Sequence, residues 1–159
     1  MTEQEIFRQA LSKAMDHCAR RETCVSEIKE KLRSWGLDGP EAERAVEMLV
    51  KERFIDEGRY ALAFVKDKFS YNRWGKYKLA MLLQAKKIPG PFISDALASI
   101  DDETYIKTIR EEIANHRRQV KAKNFYDLKA KLLRFGLSRG YENSILYELL
   151  DETGMEDLS

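Results

Sequence analysis

The sequence is poor in the residues that build stapled, metal-bound or loop-rich proteins: two cysteines, two histidines, three prolines and eight glycines in 159 residues. Cys18 and Cys24 are too few, and wrongly spaced, for a disulfide framework or a paired zinc site. A His17–Cys18–Cys24 thiol or metal cluster is conceivable, but Cys18 reads better as a small apolar packing residue on a helix. No phosphate loop and no glycine-rich dinucleotide turn is present, and neither His17 nor His116 stands beside a nucleophile. No apolar run approaches the roughly 18 residues that cross a bilayer. The Met1-Thr2-Glu3-Gln4-Glu5 start is acidic, without the basic-then-apolar order of a signal peptide. The expectation is a cytoplasmic, non-membrane protein that is not an enzyme, with no catalytic residues, no metal and no cofactor.

What the chain does have is charge, at 35% of residues, and hydrophobic residues at 43%. With so little glycine and proline, that mixture suits exposed helices with narrow apolar stripes. The net charge of +1 conceals a strong asymmetry. Residues 1–57 carry ten Lys/Arg against thirteen Asp/Glu, residues 58–137 carry seventeen against eight, and residues 138–159 carry one against six. A basic middle between acidic ends marks a polyelectrolyte surface. The acidic tail, Glu148, Asp151, Glu152, Glu156 and Asp157, reads as a frayed helix end, with a partner contact as the sharper alternative.

An internal repeat decides the fold class. Segments Glu27–Leu49, Lys78–Ile100 and Asp127–Leu149 align without a gap over 23 columns. Apolar residues match at Ile28/Leu79/Leu128, Leu32/Leu83/Leu132, Leu37/Ile88/Leu137, Val46/Leu97/Leu146 and Leu49/Ile100/Leu149. Gly36 and Gly136 share the column where a helix would end in the left-handed conformation. Gly39-Pro40 and Gly90-Pro91 share the next punctuation, with proline suited to the first turn of a helix, and the third copy has Arg139-Gly140 there. A further helix precedes each pair, marked by Phe7, Leu11, Ala14 or Met15 and Cys18, by Tyr60, Ala61, Phe64, Val65 and Lys68, and by Ile106, Ile109, Ile113 and Val120. Asp56 and Asp101 stand as N-caps of the second and third of these. The expected fold is all-α: three tandem three-helix, helix-turn-helix-like repeats in an elongated array, at 1–53, 54–100 and 101–159.

Two basic blocks fall at equivalent places in copies two and three, across the link between a repeat's first and second helices. One holds Lys66, Lys68, Arg73, Lys76, Lys78, Lys86 and Lys87 against a single Asp67, interleaved with Phe69, Tyr71, Trp74 and Tyr77. The other holds Arg117, Arg118, Lys121, Lys123, Lys129, Lys131 and Arg134 against Asp127. Two readings stand: solvated helix faces with the aromatics in the core, or a surface for phosphates or an acidic partner. Trp74, between Arg73 and Lys76, is expected at a helix junction beside the first block.

The second repeat carries a specific string: Ile55-Asp56-Glu57-Gly58-Arg59-Tyr60-Ala61, Phe64-Val65-Lys66-Asp67-Lys68, Trp74-Gly75 and Lys86-Lys87-Ile88. It resembles the bacterial RecX family, whose pattern there runs Asp–acidic–x–Arg–aromatic–Ala, Phe-Val-basic-x-basic, a glycine before basic residues, and Leu-x-x-Lys-Gly-Ile. The first and third repeats match by architecture. Lys87 stands where the family has glycine, and Gly58 where it has an acidic residue before Arg59. The resemblance implies a regulator in DNA repair, recombination and the SOS response. Such a protein binds the filament of RecA recombinase on single-stranded DNA and inhibits its activity, touching single-stranded DNA weakly or through the filament. A monomer is expected. The proposed contact residues are Arg59, Lys66, Lys68, Arg73, Trp74, Lys76, Lys78, Lys86, Lys87, Arg117, Arg118, Lys121, Lys123, Lys129 and Lys131. The alternative is a non-specific DNA-binding helical module acting without a recombinase. Sequence-specific base readout is disfavoured, because Glu41–Leu49 is acidic and Ile93–Ile100 nearly uncharged.

Overall fold

A computed structural model describes residues 1–151. Of the acidic tail, Glu148 lies in the last helix and Asp151 just after it, while Glu152, Glu156 and Asp157 lie outside the described residues. The described residues form helices and no strand: α1 (Glu3–Arg20), α2 (Val25–Ser34), α3 (Gly39–Lys51), α4 (Glu57–Asn72), α5 (Lys76–Ala85), α6 (Gly90–Ala98), α7 (Asp102–Gln119), α8 (Phe125–Arg139) and α9 (Asn143–Leu149). None is long and apolar enough to cross a membrane. Helix starts follow local chemistry. Thr2 and Glu5 form a capping box at α1, while Asp56 accepts the Arg59 N–H at 3.0 Å. Asp101 accepts the Thr104 N–H at 3.0 Å, and Asn124 accepts that of Asp127 at 2.9 Å. Each side-chain oxygen satisfies a backbone donor that the helix itself leaves open.

The chain falls into two compact units. Unit 1 comprises residues 1–64 and 83–95, and unit 2 comprises residues 65–82 and 96–151 of the described chain. In unit 1, α1, α2 and α3 pack on one another around Phe7, Ala10, Ala14, Ile28, Leu32, Leu37, Ala42, Ala45, Val46, Leu49 and Ile55. In unit 2, α8 packs on both α7 and α9, and Val65, Leu79, Ile109, Ile113, Leu132, Tyr141, Leu146 and Leu150 are fully enclosed.

The helix ends correct the repeat register. After α2, the Gly36 N–H reaches the Arg33 carbonyl at 3.1 Å and the Leu37 N–H reaches Leu32 at 2.9 Å, with Gly36 left-handed at φ 89°. After α5, Lys87 and Ile88 repeat the pattern onto Gln84 and Leu83, at 2.9 and 3.1 Å. In the third copy, however, the same pair of bonds runs from Gly140 to Leu137 and from Tyr141 to Gly136, at 3.0 and 3.1 Å. Gly140, at φ 92°, is therefore the left-handed glycine, and Gly136 lies inside α8, buried against Leu146.

The third copy is thus displaced by one helical turn from the gapless alignment. Tyr141, fully buried, takes the place of Leu37 and Ile88, whereas Leu137 is 42% exposed. Leu146, Leu149 and Leu150 take the places of Ala42, Ala45 and Val46. Leu146 thus corresponds to Ile93 rather than to Leu97. A four-residue slip keeps an apolar stripe on nearly the same helix face, so periodicity could not detect it.

Candidate nucleic-acid interface

The link between α4 and α5, residues 73–75, is locked by its own unit. Tyr141 Oη donates to the Arg73 carbonyl at 2.6 Å. Gly75 donates its N–H to the Arg139 carbonyl at 2.7 Å, and Tyr77 donates to that of Gly140 at 3.0 Å. Lys76 N–H donates to Tyr105 Oη at 2.9 Å, and that hydroxyl in turn donates to Glu142. The first turn of α5 therefore has its open N–H groups satisfied by neighbours rather than by its own side chains. Burial first, then the hydrogen bond to Glu142, push the Tyr105 phenol well above its ordinary range; burial does the same to Tyr141. Both phenols stay neutral donors at any physiological pH.

Glycine makes this closeness possible at two positions. A Cβ on Gly75 would overlap the Gly140 carbonyl, and one on Gly140 would overlap the backbone of Lys78. Neither can move aside, because both obstacles are main chain.

On this frame sit lysines held over aromatic rings. Lys78 Nζ lies 4.5 Å from the centre of the Trp74 ring and Lys68 Nζ 5.7 Å, while Lys76 Nζ lies 4.8 Å from that of Tyr105. Trp74 therefore stands at the α4–α5 junction, half-buried beneath two ammonium groups. Ring faces attract such groups by about 0.5–1 kcal/mol when exposed, which orients them without neutralising them. Among the described residues, Lys66, Lys68, Lys76, Lys78, Lys121, Lys123 and Lys129 form no ion pair with a carboxylate.

The remaining candidates differ. Arg73 pairs with Glu111 at 3.3 Å and Glu112 at 3.8 Å. Lys131 pairs with Asp127 at 3.1 Å, and Asp127 is held below the usual carboxylate range by the Lys123 backbone N–H and then by Lys131. Arg118 bonds Asn115 at 3.3 Å, and Arg117 is partly buried. Arg59, Lys86 and Lys87 belong to unit 1. There Arg59 Nε meets Glu22 at 2.6 Å, and Lys86 Nζ meets Glu27 at 2.6 Å. Burial works to raise the Glu27 carboxyl, but Lys86, with the Tyr60 and Thr23 hydroxyls, outweighs it and holds Glu27 low. Lys87 is exposed and left-handed at φ 62°, a conformation that glycine adopts without strain.

Sequence reasoning missed the frame residues Tyr105, Arg139, Gly140 and Tyr141. One signal was readable: sliding the third copy by one turn aligns Gly140 with Gly36. It also left undecided which aromatics belong to the core. Phe69 packs against Tyr105 at 5.8 Å, whereas Tyr71 is 84% exposed and Tyr77 57%.

Fold and surface define a class: an all-helical protein of repeated three-helix modules that presents cations held on aromatic rings. Comparison with known proteins narrows it. Residues 56–97 match the family model described as RecX, second three-helix domain. The chain is 32% identical, over 98% of its length and 73% of the other, to the regulatory protein RecX of Clostridium acetobutylicum. With that of Clostridium beijerinckii it shares 26% identity over 99% of its length and 74% of the other. A crystal structure of RecX from Lactobacillus salivarius matches with a TM-score of 0.78 at 18% identity, covering 98% of this chain and 97% of that one. Another, of a regulatory protein RecX, matches with a TM-score of 0.82 at 20% identity, covering 91% and 72%. The chain belongs to the RecX family of regulatory proteins.

Proposed function

We propose that this chain binds the RecA–single-stranded-DNA filament and inhibits the recombinase, with the lysines of unit 2 as its electrostatic contact. The observation that carries the reading is the set Lys68, Trp74, Lys76 and Lys78: cations fixed in place over rings and left without carboxylates among the described residues. Pre-oriented, uncompensated cations suit a polyanion, because part of the side-chain ordering is already made and condensed counterions are released. Repeated modules can touch several protomers of a filament, so modest contacts multiply through effective concentration. The protein acts as a monomer in the cytoplasm.

The test compares binding to single-stranded DNA alone and to the same DNA coated with RecA, with ATP hydrolysis followed in parallel. Tighter binding to the coated strand, with slowed hydrolysis, is expected. Equal binding to both, with hydrolysis unchanged, would leave a non-specific DNA-binding module in its place.

A further inference from the structure

We propose that Tyr71 and Tyr126 are stacking platforms for unpaired nucleobases, so that unit 2 takes single-stranded nucleic acid by its bases as well as its phosphates. The inference deepens the reading above and rests on its claim that the unit 2 lysines meet phosphates.

Tyr71 is 84% exposed and Tyr126 81%, while most rings of this chain are at least half covered. A phenol ring is a large apolar surface, and leaving two in water forgoes the burial that aromatics ordinarily provide. Each stands beside a link between a repeat's first and second helices: Tyr71 in the last turn of α4, Tyr126 in the first turn of α8. Phe125 meets Tyr126 at a steep angle with ring centres 6.2 Å apart, and Tyr126 nonetheless stays 81% exposed.

Each ring also has a carboxylate-free lysine three residues away on its own helix: Lys68 for Tyr71, and Lys129 for Tyr126. Residues at that spacing are neighbours on a helix surface. Ring and lysine therefore share one stretch of helix surface, which suits a strand with alternating bases and phosphates. The nearby acids do not reverse this balance. Asp127 is engaged by the Lys123 N–H and by Lys131, and Asp67 is the one acidic residue among 66–87. A duplex hides its base faces within the stack, whereas an unpaired strand offers a base face beside every phosphate, so an unpaired strand is the fitting occupant.

The experiment measures binding of the full chain at low salt to labelled oligothymidylate and to an abasic deoxyribose-phosphate strand of equal length. Wild type should prefer the strand with bases. Tyr71→Ala and Tyr126→Ala should each lose about fivefold or more on oligothymidylate, with little change on the abasic strand, while Tyr71→Phe and Tyr126→Phe retain binding. Both side chains are exposed, so thermal melts should not move, and an unchanged melt confirms that a loss is not unfolding. Equal, salt-sensitive binding of both strands would overturn stacking and leave the phosphate reading standing. Binding of neither strand would overturn both. Alanine variants that bind oligothymidylate normally yet lose RecA alone would make the rings a protein contact and overturn the proposal.

Discussion

Unit 1 and unit 2 are built from similar amphipathic helices but treat their cations differently. In unit 1, Arg59, Lys86 and Lys29 each meet a carboxylate, at 2.6, 2.6 and 2.8 Å, and Lys86 joins Tyr60 and Thr23 around Glu27. In unit 2, Lys68, Lys76 and Lys78 lie over aromatic rings instead. A carboxylate neutralises an ammonium; a ring orients it and leaves its charge available. The difference teaches that a basic sequence block is not one surface: within 66–87, Lys86 and Arg73 are held on carboxylates, whereas Lys68, Lys76 and Lys78 are held over rings.

The largest expected effect contrasts two glycines that sit between helices, Gly36 after α2 and Gly75 before α5. Gly36→Ala in unit 1 meets only Ile6, at 3.6 Å, so it should lose about 1–2 kcal/mol of stability from backbone strain alone. Gly75→Ala in unit 2 collides with main chain and should lose about 3 kcal/mol or more. Urea denaturation followed by tryptophan fluorescence, with Trp35 in unit 1 and Trp74 in unit 2, measures both. Equal losses would break the claim that the α4–α5 link is the more tightly built.

Next come the lysines. Lys68→Gln combined with Lys78→Gln should lower the log–log salt slope of single-strand binding by about 1.4, at roughly 0.7 per phosphate contact, with little change in stability. Lys86→Met should do the reverse, because about a third of each partner is exposed and the loss falls on stability, at about 1 kcal/mol or less. If Lys86→Met lowers the slope as much as the pair does, the two units are electrostatically alike.

Lys87→Gly should stabilise the chain by about 1 kcal/mol, since a non-glycine residue is strained at φ 62°. A rise in the urea midpoint checks it, and an unchanged salt slope would place Lys87 with the unit 1 cations. The smallest effect is on pH. The folded Glu27 carboxyl lies below its ordinary 4.5, so its contribution is present above that value and lost as pH falls through the lowered one. Glu27→Gln should therefore flatten the acid limb of the stability profile slightly.

The helices were legible because their signals are local. Asp56 and Asp101 cap where their sequence positions imply, and the stripes of Phe7 and Ala14, and of Ile109 and Ile113, are buried as spacing predicts. The register of the third copy was not legible from its stripe, because Leu128, Leu132 and Gly136 repeat every four residues and a one-turn slip exchanges one for the next. For the candidate surface, sequence located the basic blocks and Trp74 at a junction. It could not tell Lys78, held over an indole, from Lys86, held on a carboxylate.

By itself, then, the sequence determined the helix starts, the apolar faces and the excess of positive charge in the middle of the chain. Each depends on residues within a turn or two of one another, where propensity, capping and periodicity act. Only the tertiary structure decided which glycine turns left-handed after α8, which tyrosines are buried and which lysines keep their charge unmatched. Those outcomes depend on groups far apart in the chain, Lys86 with Glu27 and Gly75 with Gly140, and a hydrogen bond or ion pair falls away within a few ångströms whatever the local sequence prefers.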